Sequence, residues 1–180
     1  MRLSGLIIAA VLTAAAAPAL AVEPDCHWNN LTPQTRAALL EAYKTRAEGA
    51  FGAVRPSAAD EQALKAACGM TPANTLDALG ALKMSTIEHG AAAALKSQHG
   101  LDEARLGQAW SGMPRADRDA ILAAAVGAVE GDDDTGAADA AIVRFMEGLG
   151  LPLQTQGPNQ GFYWLRAHAM RLVYEARPTQ

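Results

Sequence analysis

Apolar positions along this chain recur at three- and four-residue spacing, and no segment alternates in the period-two manner of a strand. Between cap signals the pattern predicts helices near residues 32–54, 57–68, 72–97, 101–111, 114–130, 136–148 and 159–176. Leu31-Thr32-Pro33 and Met70-Thr71-Pro72 each set a threonine N-cap before a proline at the first helical position. Ser57-Ala58-Ala59-Asp60 has the form of a capping box, with Asp in place of the usual Glu. The expected class is all-α, a helical bundle.

The pattern also repeats. WNNLTPQTRAALL from Trp28 and WSGMPRADRDAIL from Trp110 open two helices alike, 82 positions apart. At that offset Trp28, Leu39, Leu40 and Glu48 fall on Trp110, Ile121, Leu122 and Glu130. The next helices match at an offset of 79 and the third pair at 86, in unchanged order. The expectation is a tandem duplication of a three-helix unit: repeat 1 about 28–96, connector 97–112, repeat 2 about 110–176. Such a unit is too small to bury its apolar face alone, so residues 22–180 should pack as a single domain. The competing reading is chance matching between alanine-rich amphipathic helices. Trp28 and Trp110, each just ahead of a helix start, are read as packing anchors.

The N-terminus changes the picture of where the chain works. Arg2, an apolar stretch from Leu6 to Ala17 and the small residues Ala19-Leu20-Ala21 have the layout of a secretory signal peptide over residues 1–21. That stretch is too short to cross a bilayer, which needs about 20 apolar residues, and Pro18 breaks the run. Removing 21 of the 180 residues leaves 159, and losing Arg2 moves the formal charge from −4 to −5. A mildly acidic chain without a basic run argues against nucleic acid and anionic membranes as partners. No stable membrane insertion is expected after cleavage.

Two cysteines fit an oxidising compartment, and Cys26 and Cys68 are expected to form a disulfide worth about 4 kcal/mol. Free buried thiols or a metal-ligand pair are the alternatives, and neither cysteine has partners at ligand spacing. His27, His89, His99 and His168 likewise lack a second ligand at helical spacing. There is no CxxCH for haem attachment, so no metal or cofactor is expected. The acidic run from Glu130 through Asp134 fails as an EF-hand loop, because counting from Asp132 the fifth position is Gly136 and the sixth Ala137. No GxSxG occurs. Paired carboxylates are the one enzymatic idea with a structural motive: under the duplication, Glu48 and Glu130 would face each other across a pseudo-twofold axis.

The last segment, GFYWLRAHAMRLVYEA, carries the candidate contacts. At 100° per residue, Phe162, Tyr163, Leu165, Ala169, Met170 and Val173 form one broad apolar arc. Trp164, His168, Arg171 and Glu175 fall opposite, a surface for an anionic or sugar-like ligand or a protein partner. Arg166 projects near the middle of the apolar arc. Its head should therefore meet a carboxylate (Glu48, Glu88 or Glu130) or helix-end carbonyls, with room left by Gly80, its counterpart in the first repeat. The resulting expectation is a periplasmic or secreted, non-catalytic accessory or binding module of the bacterial cell envelope, with a protein or small-molecule partner. The alternative is a small all-α envelope enzyme using Arg166 and a glutamate in an inter-repeat groove. A metal- or haem-binding protein is the third.

Overall fold

A computed structural model describes residues 24–131, 136, 138–154 and 157–177. The signal-peptide assignment and Asp132 to Asp134 lie outside the described residues. Those residues are all-helical: α1 (Cys26–Asn29), α2 (Pro33–Thr45), α3 (Ala50–Ala53), α4 (Ala58–Cys68), α5 (Thr75–His99), α6 (Glu103–Gly112), α7 (Arg115–Glu130), α8 (Asp139–Gly148) and α9 (Gln160–Ala176).

Local chemistry sets most of these limits. Thr32 caps α2 through its side chain with Pro33 at the first position, and Ser57 and Asp60 close a reciprocal capping box on α4. Asp60 does more than cap. Its buried carboxylate accepts from the Ser57 backbone and hydroxyl, from Thr32 N at 2.6 Å and from Thr35 Oγ1 at 2.6 Å. Burial alone would raise its pKa, but these hydrogen bonds outweigh burial and hold it far below the usual carboxylate range. The starts of α2 and α4 are thereby locked together.

Expected boundaries shift by up to three residues elsewhere, as where the helix predicted from 136 begins at Asp139, and two of the differences have a visible local cause. The helix predicted over 32–54 breaks at Arg46 (φ −150°, ψ 74°), and the turn through Gly49 drops Ala50 fully into the core. The start expected at Pro72 moves to Thr75, because Thr71 N donates to Asn74 Oδ1 and Asn74 N donates back to Thr71 Oγ1. That reciprocal turn competes with the first helical hydrogen bonds.

The axis of the molecule is the packing of α5 on α9. They run antiparallel, as the meetings of Asp77 with Arg177, Gly80 with Tyr174 and Glu88 with His168 show. The close approach rests on glycine: a Cβ on Gly80 would lie 2.5 Å from Tyr174 Cε1, and one on Gly90 would strike the Tyr43 ring. Gly80 therefore makes room for Tyr174, not for Arg166 as expected. One core cluster surrounds the disulfide and joins α1, α2, α4 and α5 through Trp28, Leu39, Leu64 and Leu82. The other fills the space among α5 to α9, with Leu106, Trp110, Phe145 and Trp164. Both anchoring tryptophans are buried. Cys26 and Cys68 are bonded, and no free cysteine remains among the described residues.

Candidate functional site

The helical-wheel reading of α9 is overturned on one side. Trp164 is 2% exposed and Arg171 5%, so the supposed polar face is interior. α9 lies between α5 and the α7–α8 pair, and each of these covers a different flank. Trp164 stacks between Phe145 of α8 (centroids 5.7 Å apart) and His168 (4.8 Å), and His168 meets the edge of Trp110 at 5.1 Å. The sector holding Arg166 is the one turned outward. Arg166 is exposed, where its place on the apolar arc led us to expect a buried stem.

Behind that surface runs a buried ionic network. Arg171 donates two hydrogen bonds to Glu88, Nε at 2.7 Å and Nη2 at 3.2 Å, and a third from Nη1 to Glu175 at 3.0 Å. His168 Nδ1 donates to Glu88 at 2.8 Å. Burial raises the Glu88 carboxyl, yet the bonds from His168 and Arg171 prevail and bring it down to about 2. Glu88, one candidate partner of Arg166, is thus committed to Arg171.

The network continues into α1. Asp25, the one non-glycine residue with positive φ (59°) among those described, accepts from Ser85 Oγ at 2.7 Å and from His89 Nε2 at 2.6 Å. Its own N–H donates to Glu175 at 3.1 Å. These contacts offset the strain of a left-handed aspartate. His89 is bonded on both ring nitrogens, since Nδ1 reaches Glu103 at 2.7 Å. Burial lowers its pKa, but the two carboxylates outweigh that and lift it to about 9. The result is an imidazolium stacked 4.4 Å from Trp28, a fixed cation. Neither ring nitrogen is available to take a proton or bind a metal. His27, buried beside Asp25 and Arg171, is pushed down chiefly by burial and stays neutral. Among the described residues no group of three or more His, Cys, Asp or Glu is arranged to hold a metal ion.

The second constellation is at the surface. Glu48, Lys83, Tyr163 and Arg166 ring an open cavity of about 150 Å³ between α5 and α9, with the turn after α2 supplying Glu48. Met84, Ile87 and Met170 form its floor. Burial, followed by the charge of Glu48 and a hydrogen bond to it, raises the Tyr163 phenol, which therefore stays neutral. The structure thus brings Arg166 and Glu48 into one concavity. Glu130 is not in its lining and lies 4.0 Å from Arg177 instead. Lys83 went unnoticed in the sequence, although it is the one charged residue between Asp77 and Glu88, and Tyr163 was read only as a member of the apolar arc.

Compared with known proteins, the chain matches no family model, no curated protein and no solved structure.

Proposed function

We propose that the protein is an exported, non-catalytic binding module of the bacterial cell envelope, and that it binds a small molecule in the Glu48–Arg166 cavity. The observation that carries this reading is the cavity's make-up: both signs of charge and a neutral phenol stand beside the apolar side chains of Met84, Ile87 and Met170. His89, His168, Asp25 and Glu88, which resemble catalytic groups, are held in one ionic network. Export is supported by the signal-like N-terminus and by the disulfide. Among the described residues no helix is long and apolar enough to cross a membrane. The duplication is supported by a similar order, a helix bearing a buried tryptophan, a proline-opened helix, a further helix, then the long helices α5 and α9 packed antiparallel, although α3 has no counterpart among the described residues of the second half. An experimental structure in which residues 28–87 and 110–173 fail to superpose by one rotation would refute it.

The binding reading is tested by saturation-transfer NMR of the purified mature protein with mixed zwitterionic, anionic and cationic metabolites. One class should receive saturation, remain chemically unchanged, and lose its signal in Arg166→Met at unaltered melting temperature. Equal signals in wild type and variant refute the site. The second reading, an enzyme acting through Glu48 and Arg166 in the same cavity, is favoured instead if product accumulates and Glu48→Gln stops it.

A further inference from the structure

We propose that His27 is an acid-sensitive latch: a proton taken up by its buried ring releases α1 from α5 and α9, while the disulfide keeps α1 tethered to α4. His27 is 6% exposed, and its Nδ1 is the one buried side-chain nitrogen or oxygen among the described residues without a hydrogen-bond partner. Native folds seldom leave such an atom unpaired, and each exception asks for an explanation. A neutral ring tolerates the vacancy. An imidazolium does not, because both nitrogens become donors and a full charge must be buried.

The surroundings give the proton little in return. Burial disfavours the charged ring most; the carboxylate of Asp25 favours it, and the guanidinium of Arg171 on α9 opposes it. Asp25 is already engaged, since it accepts from Ser85 and His89 and lies 3.7 Å from Arg171. Glu88 and His89 of α5 and Glu175 of α9 are bonded within the same network. From α4, Leu64 and the bonded Cys68 share a core cluster with α1, and neither titrates. Asp60 of α4 is closed by Ser57, Thr32 and Thr35.

A protonated His27 therefore either stays charged without an acceptor or draws Asp25 away from α5. Both routes undo the same few bonds, because α1 is one turn long and Asp25 joins it to Ser85, His89 and Glu175. The left-handed backbone of Asp25 relaxes when they break. Cys26 remains bonded to Cys68, so the release is local and reversible. It also reshapes a neighbouring cleft. Trp28 and Asn29 of α1 line this open space of about 770 Å³ together with Arg36, His89 and Lys96.

The sign follows from a folded-state pKa below the unfolded 6.5: docking of α1 is complete above 6.5 and weakens as pH falls below it toward the folded value. Hydrogen exchange by NMR on the mature protein, corrected for intrinsic rates, tests this between about pH 7.5 and 5. The amides of Trp28, Asn29 and Asn30, which donate to the Asp25 and Cys26 carbonyls, should lose protection by up to about tenfold per pH unit below 6.5. Ile121 and Ala125 in α7 should keep theirs. His27→Phe retains an aromatic ring without the proton, so its α1 should stay protected throughout. Long-range ¹H–¹⁵N spectra of the wild type give a readout that no variant's folding affects: the His27 ring should titrate below 6.5. A ring that titrates at or above that value, or α1 protection that ignores pH, overturns the proposal. If α1 is released alike in wild type and His27→Phe, the carboxylates of Asp25 and Glu175 are the switch and the latch assignment falls.

Discussion

Replacing Arg171 by methionine isolates the buried network. The guanidinium is 6% exposed and faces Glu88, Glu175 and, at 3.7 Å, Asp25. Methionine keeps much of the stem's volume and removes the charge, so two buried carboxylates lose a principal partner. Removing one member of a buried pair costs about 3–5 kcal/mol. The displacement of Glu88 from 4.5 to about 2 gives an independent figure of about 3 kcal/mol, of which His168 supplies a share. For a chain of this length that corresponds to a melting temperature lower by about 6–20 °C. The sign of the pH dependence follows from the lowered folded-state pKa. Stability from Glu88 is fully present above its unfolded value of 4.5 and is lost as pH falls toward about 2. The gap between wild type and Arg171→Met should therefore be widest near neutral pH and close in acid. Urea denaturation followed by circular dichroism across that range measures it, and adding Glu88→Gln to the variant should recover part of the loss. A loss below about 1 kcal/mol, the worth of an exposed ion pair, or a gap that ignores pH, would refute the account.

His89 titrates in the opposite sense: its folded pKa of about 9 lies above the unfolded 6.5, so its contribution is complete below 6.5 and disappears as pH rises through about 9. A melting-temperature profile should fall across that window in wild type and flatten there in His89→Gln; parallel profiles would refute the imidazolium assignment. Cys26 and Cys68 close a loop of sequence separation 42, so the double alanine variant should lose about 4 kcal/mol; an unchanged denaturation midpoint would show that the bond constrains nothing. Gly107, with open space around it in α6, should gain about 0.5–1 kcal/mol on conversion to alanine, whereas Gly90→Ala, blocked by the buried Tyr43 ring, should be destabilised. Thermal melts that moved both variants the same way would refute the close-packing role of Gly90.

What was legible in the sequence was what short-range chemistry decides. The Thr32–Pro33 and Ser57–Asp60 caps lie within a few residues of the ends they set, and the helices they open start where expected. The breaks at Arg46 and Asn74 depend on local rivals of the helix, a buried Ala50 and a reciprocal side-chain turn, which apolar spacing does not encode. The reading of α9 failed for a different reason. A helical wheel assumes one covered face, and α9 is covered by α5 on one flank and by α7 and α8 on others, so polarity ceased to report exposure.

A signal for the buried network was nevertheless present. Ser85, Glu88 and His89 stand at helical spacing of three and four within a long apolar segment, and so do His168, Arg171 and Glu175. One helix offers an anion at the centre of its stripe and the other a cation. Two such stripes facing outward would each interrupt an otherwise alanine-rich surface to no purpose, whereas facing each other they are mutually neutralising. Antiparallel packing of α5 on α9 meets that requirement, because it sets Glu88 against both His168 and Arg171. With those charges satisfied inside, Arg166 is the charged side chain on the outward sector of α9, and the turn after α2 brings Glu48 to the same cavity. The network that hides Arg171 thus leaves Arg166 on the outward sector, beside the cavity that Glu48 and Tyr163 also line.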